Sequence, residues 1–344
     1  MITQLSRRRI LRGITVGATG IVAGMRPSIA KPQSAIGESN VALVKGSDRR
    51  DNLLRALEMI QDDVKNTLGN RQVVIKPNYT RVAKEDQLAS THTDNLWALC
   101  EFFSSFHSGN IIIAEGVGTA EPLEVALKNY DCLALQEKYN VEFFDLGQDD
   151  YTTIYILDGN TQPVPIRTSK LLLRPDVYIV SAAVLKTHSL AIVTLGLKNL
   201  LMAAPMKYNT RGGKEEKFND RPKMHAGNVS DNPRPFNFNL FQMATHMTPD
   251  LVTIDGLVGM EGNGPIRGTA RESNLAVAST DWLAADRVGT DLMGFDINRI
   301  GHLRYAAETG MGQADITKIR VIGETIGNMR QPYKPPSTID GILM

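Results

Sequence analysis

Lysines, histidines, amides and carboxylates gather where four apolar runs of the chain stop. Val73-Val74-Ile75 runs into Lys76-Pro77-Asn78, and Val177 to Leu185 runs into Lys186-Thr187-His188-Ser189. Ile192 to Leu197 delivers Lys198-Asn199, and Leu251 to Ile254 delivers Asp255, with Glu261 and Asn263 following among Gly256, Gly259, Gly262 and Gly264 in what reads as a tight irregular turn. An ammonium beside an apolar run meets a carboxylate, a phosphate or solvent, because burying it without a partner is costly. Lys76, Asn78, Lys198, Asn199 and Asn263 are therefore candidate contacts for an anionic ligand. His188 and Lys186 are candidate catalytic groups, and His92 and His225 are further candidates to move protons. Three roles are open to Asp255 and Glu261: to hold a divalent cation through oxygen, to act as acid and base, or to accept bonds from the lysines.

Other groups are weaker candidates. Thr93 or Asp94 suits the cap of a helix beginning near Asn95, an account that leaves His92 unexplained. Glu115 opens Glu115-Gly116-Val117-Gly118-Thr119 and reads as a ligand or a local cap. Those two glycines lack the rest of a dinucleotide fingerprint, so no nicotinamide cofactor is expected. His107, His246 and His302 lie on helical stretches and read as structural, while Ser189 lacks the Gly-x-Ser-x-Gly elbow of a nucleophile.

The elements that must position these groups follow from periodicity. Short β-branched runs at 41–45, 73–76, 111–115, 141–145, 177–181, 251–255, 275–278 and 319–322 read as strands. Helical patterns fall at 52–68, 94–106, 122–135, 281–294 and 298–310. Strand and helix in alternation imply an α/β fold, with a mostly parallel sheet covered by helices on both faces. A local antiparallel hairpin is expected from 153–157 and 164–173 across Asp158-Gly159-Asn160. Parallel sheets bind ligands at the carboxyl ends of their strands, which is where the lysines cluster. Residues 205–237 break the rhythm: Gly, Pro, Asn and charge dominate, and a long polar insertion without regular structure is expected, as a lid or a surface loop.

Composition narrows the function. The chain has 38 Lys and Arg against 37 Asp and Glu, a balance that offers no general basic field for nucleic acid. Cys100 and Cys132 are the only cysteines, too few for a four-thiolate iron–sulfur cluster from this chain alone. Residues 1–30 carry Arg7, Arg8, Arg9, Arg12 and Arg26 and no acid, followed by the apolar run Ile14 to Gly24 and Ser28-Ile29-Ala30. This resembles a twin-arginine export signal and implies the twin-arginine translocase as a partner and a periplasmic destination in a Gram-negative host. The run is too short to leave a stable transmembrane span after cleavage. The organisation expected is a signal over 1–30, a linker over 31–39, one α/β domain over 40–325 and a tail over 326–344.

Together, Val74-Ile-Lys-Pro-Asn78, Leu185-Lys-Thr-His188, Thr194-Leu-Gly-Leu-Lys-Asn-Leu200 and Asp255 to Pro265 resemble the bacterial and archaeal DUF362 family over about residues 40 to 325. The resemblance implies one shared site drawn from Lys76, Asn78, Lys186, His188, Lys198, Asn199, His225, Asp255, Glu261 and Asn263. It names no reaction. Some family members carry an added ferredoxin-like module, which two cysteines cannot supply here. Two functions follow as expectations. One is an exported enzyme acting on a phosphate- or carboxylate-bearing small molecule, by metal-assisted or Lys/His/acid chemistry. The other is a periplasmic binding or cofactor-maturation protein that holds an anion or metal without turnover.

Overall fold

The computed structural model describes residues 37–211, 214–225 and 233–342, so the export signal expected at 1–30 lies outside the described residues. The apolar runs form strands β1 (Ser39–Lys45), β2 (Gln72–Lys76), β3 (Ile111–Glu115) and β4 (Val141–Asp145). A hairpin follows, β5 (Tyr151–Leu157) and β6 (Pro163–Ser169), then β7 (Val177–His188) and β8 (Ile192–Thr194). The remaining strands are β9 (Lys207–Arg211), β10 (Lys214–Asn219), β11 (Leu251–Asn263), β12 (Arg267–Ser279) and β13 (Ile319–Gly323). The helices that matter to the site and the packing are α1 (Arg49–Met59), α2 (Gln61–Leu68), α3 (Thr93–Ser104), α4 (Leu123–Asn129) and α5 (Leu135–Lys138). Beyond β8 come α6 (Gly196–Leu201), α7 (Arg221–Met224), α8 (Pro233–Ala244), α9 (Trp282–Leu292) and α10 (Gly301–Glu308).

Nine strands make the main sheet, in the order β13-β1-β12-β11-β7-β2-β3-β4, with β8 paired to β7 outside this path. The steps from β11 through β7, β2 and β3 to β4 are parallel, and so is β1 to β13. β12 is antiparallel to both of its neighbours. Side chains alternate across each strand, so the two faces feed two cores. On β7, Val177, Ile179, Ala183 and Leu185 pack with Leu197, Phe236, Leu240, Trp282 and Val288 from α6, α8 and α9. Tyr178, Val180 and Ala182 turn to the other face, against Leu57, Val64, Leu99, Phe103 and Leu127 from α1 to α4. The doubly covered α/β fold expected from the alternation is thus present, as is the separate hairpin of β5 and β6.

Two expectations change. The stretch from Asp255 to Asn263 is not an irregular turn but the second half of a thirteen-residue strand, paired with β12 as far as Asn263 opposite Arg267. Its glycines permit close approach: a Cβ on Gly264 would stand 2.0 Å from the Thr187 carbonyl oxygen. Gly264→Ala is therefore expected to push this arm off β7 and cost about 1–3 kcal/mol, read as a lower midpoint in urea unfolding. An unchanged midpoint would show that the arm moves freely. The second change concerns 205–237, where β9 and β10 pair antiparallel and α7 and the start of α8 follow. The sequences of Lys207–Arg211 and Lys214–Asn219 carry no apolar period, which is why the sequence pattern hides these strands.

Candidate functional site

The carboxyl ends of β2 and β3, the extension of β7, and α6 and α7 enclose a cleft of about 420 Å³. Lys76, Asn78, Glu115, His188, Lys198, Asn199, Arg221 and His225 line it, with Met202, Ala203, Pro222, Pro265 and Ile266 as its apolar wall. Lys76, the last residue of β2, donates to the backbone oxygen and Oδ1 of Asn199 at 2.8 and 2.6 Å and stands 3.3 Å from Glu115 Oε2. Glu115, the last residue of β3, also accepts the N–H groups of Tyr79 and Gly116, both at 2.8 Å. It is both a partner for a buried cation and a local cap.

The amides knit the floor together. Asn78 Nδ2 donates to Asn199 Oδ1 at 2.8 Å, and Asn199 Nδ2 donates to Ser181 Oγ at 3.0 Å. Lys186 lies behind this floor: fully buried, it donates to Asn78 Oδ1 at 2.9 Å and to the Ala89 carbonyl at 2.6 Å. Its role is to position Asn78. Lys198 is the third residue of α6 and is 5% exposed. Among the described residues its amine has no hydrogen-bond or ion-pair partner and stands over the Phe236 ring, 5.7 Å from nitrogen to centroid.

Burial sets the electrostatics. It lowers the Lys76 amine to about 8 even though Glu115 pulls upward, and lowers Lys198 to about 7, with the charge of Lys76 adding to the effect. Lys186 falls well below the ordinary amine range through burial and then through Lys198 and Lys76. His188 is lowered by burial, then by Lys198 and His225, and His225 is lowered to about 4 by burial and then by Lys198. His188 Nδ1 accepts from Leu190 and Ala191 N–H at 3.0 and 3.2 Å, which leaves its proton on Nε2. Both imidazoles stack on Phe236, with centroids at 5.7 and 4.8 Å.

Six expected residues thus meet in one cleft: Lys76, Asn78, His188, Lys198, Asn199 and His225. Four do not. His92 accepts the Asp94 N–H at 3.2 Å through Nδ1, serving as the cap of α3, and lines a different hollow of about 190 Å³ with Arg49 and Asp255. Asp255 receives Arg49 Nε at 2.7 Å, Asn95 Nδ2 at 3.0 Å and Leu257 N–H at 2.9 Å. Glu261 accepts the Lys334 N–H at 3.1 Å, and Asn263 Oδ1 accepts from Ser337 N and Oγ at 2.8 and 2.9 Å, so both anchor the C-terminal segment. Six residues of strand separate the two carboxylates by roughly 20 Å, so Asp255 and Glu261 do not share a cation. Among the described residues no group of three or more His, Cys, Asp or Glu side chains is placed to hold a metal.

Two lining groups are not among the expected site residues. Arg221 donates through Nη1 and Nη2 to the carbonyls of Val117 and Gly116 and through Nε to Pro205 O at 3.3 Å, bringing a third cation to the cleft. Its signal was the Asp220-Arg221-Pro222 helix start, hidden among the charges of the insertion. Thr194 lines the cleft with a buried Oγ1 that has no hydrogen-bond partner among the described residues; a hydroxyl in an apolar strand carries no sequence signal.

The fold and the cleft define a doubly covered α/β protein with a cationic pocket at the carboxyl ends of its parallel strands. The family model described as "Domain of unknown function (DUF362)" matches residues 73–291, from β2 into α9, and the chain belongs to that family. It is 34% identical over 131 residues to the Thylakoid-associated protein sll1697 of Synechocystis sp., a match covering 38% of this chain and 36% of that relative's length. A crystal structure of a protein from Thermotoga maritima aligns with a TM-score of 0.41 at 15% identity, over 66% of this chain and 55% of that one. No helix among the described residues is long and apolar enough to cross a membrane.

Proposed function

We propose that this DUF362 chain is an enzyme that holds a phosphate- or carboxylate-bearing small molecule between Lys76, Lys198 and Arg221, with Lys198, His188 and His225 moving protons beside it. The observation that carries this reading is the unpartnered, buried Lys198 amine in a cleft where one carboxylate, Glu115, faces three cations among the described lining residues. Excess positive charge with little water to screen it favours an anion strongly. The cleft volume suits a small molecule rather than a macromolecule. The histidines, held neutral by burial, each present one donor and one acceptor nitrogen, through which a proton can be relayed beside the ligand. The arginine-rich sequence at 1–30 supports export by the twin-arginine route to the periplasm as part of the same reading.

The test is titration calorimetry with oxalate, a dianion across the whole range of interest. Affinity should be highest below pH 7 and fall by at least about tenfold by pH 9, because Lys198 and Lys76 lose their protons at about 7 and about 8. Affinity that stays flat with pH, or heat that persists unchanged in Lys198→Met, would remove the cleft as the anion site.

A further inference from the structure

The three lysines are not equivalent. Lys76 is committed to Glu115 and Asn199, and Lys186 to Asn78 and the Ala89 carbonyl. Lys198 alone of the three lines the cleft without a hydrogen-bond or ion-pair partner among the described residues. Its surroundings on the core side are the ring of Phe236, and the cleft wall adds Met202, Ala203 and Ile266, which give an ammonium nothing to bond to. Lys76 and Arg221 already supply charge for an anion, so the Lys198 amine is available for different chemistry.

We propose that Lys198 is a nucleophile that forms an imine with an aldehyde or ketone whose carboxylate or phosphate is held by Lys76 and Arg221. This rests on the reading of the cleft as an anion site and names the substrate class: small anionic carbonyl compounds. The neutral Nζ attacks the carbonyl carbon, a C–N bond forms, and the C=O π pair moves to oxygen. One proton passes from nitrogen to oxygen to give the carbinolamine. A second proton, taken up from solvent, on that oxygen lets water leave as the nitrogen lone pair closes the C=N bond. Amine, carbonyl compound and one proton thus become iminium and water, with no change of oxidation state. The iminium carries the positive charge of the proton taken up, so the anionic end stays held. His188, with its proton on Nε2, lines the same cleft and can donate to the carbonyl oxygen. A desolvated lysine beside a second cation is the setting in which amine nucleophiles are activated, and an amine lowered to about 7 is substantially unprotonated at neutral pH.

The experiment treats the native protein with glyoxylate, pyruvate or glycolaldehyde phosphate under sodium borohydride, followed by intact-mass measurement and peptide mapping. Glycolate, lactate and glycerol phosphate are the paired compounds without a carbonyl. The expected result is one reduced adduct per chain on Lys198 with at least one of the carbonyl compounds, none with its pair, and loss of the adduct when oxalate is present. Trapping should quicken as pH rises through about 7. Lys198→Arg should lose the adduct while oxalate affinity falls less steeply with pH than in wild type, because arginine stays charged where Lys198 titrates, a split that a purely structural lysine would not produce. If oxalate binds but none of the three compounds labels Lys198, the imine proposal is overturned and the anion site stands. If oxalate does not bind and Lys198 is not labelled, both fall.

Discussion

Lys198→Met is expected to stabilise the protein by about 2–4 kcal/mol at pH 6 while weakening oxalate binding about tenfold. The methionine fills the same space beside Phe236 without an ammonium to desolvate. The native amine is lowered from 10.5 to about 7, so below pH 7 both the folded and the unfolded chain carry the proton and the folded chain bears the full cost of burying it. Between about 7 and 10.5 the unfolded chain binds the proton and the folded chain does not, so wild-type stability rises with pH across that window. The advantage of the variant should therefore shrink steadily from pH 7 to pH 10, as read by urea unfolding at several pH values. A variant less stable than wild type at pH 6 would mean that the ammonium is well solvated, and the cleft would lose its claim to be an activated site. A more stable but more weakly binding variant would show the stability that this fold gives up for its site.

Much of this cleft was legible because strand ends leave a mark in sequence. Lys76 and His188 each follow an apolar strand run, and a parallel sheet puts ligands at that end, whereas the run before Lys198 folds into the short antiparallel β8 and the start of α6. What the sequence does not carry is the lateral order of the strands. Asp255 also closes an apolar run, but β11 lies on the far side of β7 from β2 and β3, so its carboxylate meets Arg49 of α1 and Asn95 of α3 instead. The glycines after it read as a loop because their steric purpose is long-range: Gly259 and Gly264 pass close to the Leu185 and Thr187 carbonyls of β7. Glu261 and Asn263 look like ligand residues for the same reason. Their partners, Lys334 and Ser337, are about 73 residues away in sequence, beyond the reach of any spacing rule.

The site also depends on a residue far from it in sequence that was not suspected, Asp286 of α9. Its carboxylate oxygens accept the N–H groups of Gly196 and Leu197 at 2.7 and 3.0 Å and so hold the start of α6, the fully buried turn that carries Lys198 and Asn199. Asp286→Ala leaves two buried donors unpaired and is expected to cost about 2–4 kcal/mol. The frayed α6 would also take away the acceptors of Lys76, so oxalate binding should fall with stability even where the variant remains folded. Asp286→Asn keeps an acceptor for one N–H and turns a donor toward the other, which places it between wild type and alanine in urea unfolding. The pH dependence separates a charge effect from a geometric one. Burial pushes the Asp286 carboxyl up to about 7 against the pull of its two N–H bonds, so its contribution is fully present below pH 4 and is lost as pH rises through about 7. The gap between wild type and asparagine should narrow over that range. Alanine and wild-type proteins of equal stability, with oxalate binding intact, would show that α6 holds its place without Asp286 and that the cleft is supported by packing alone.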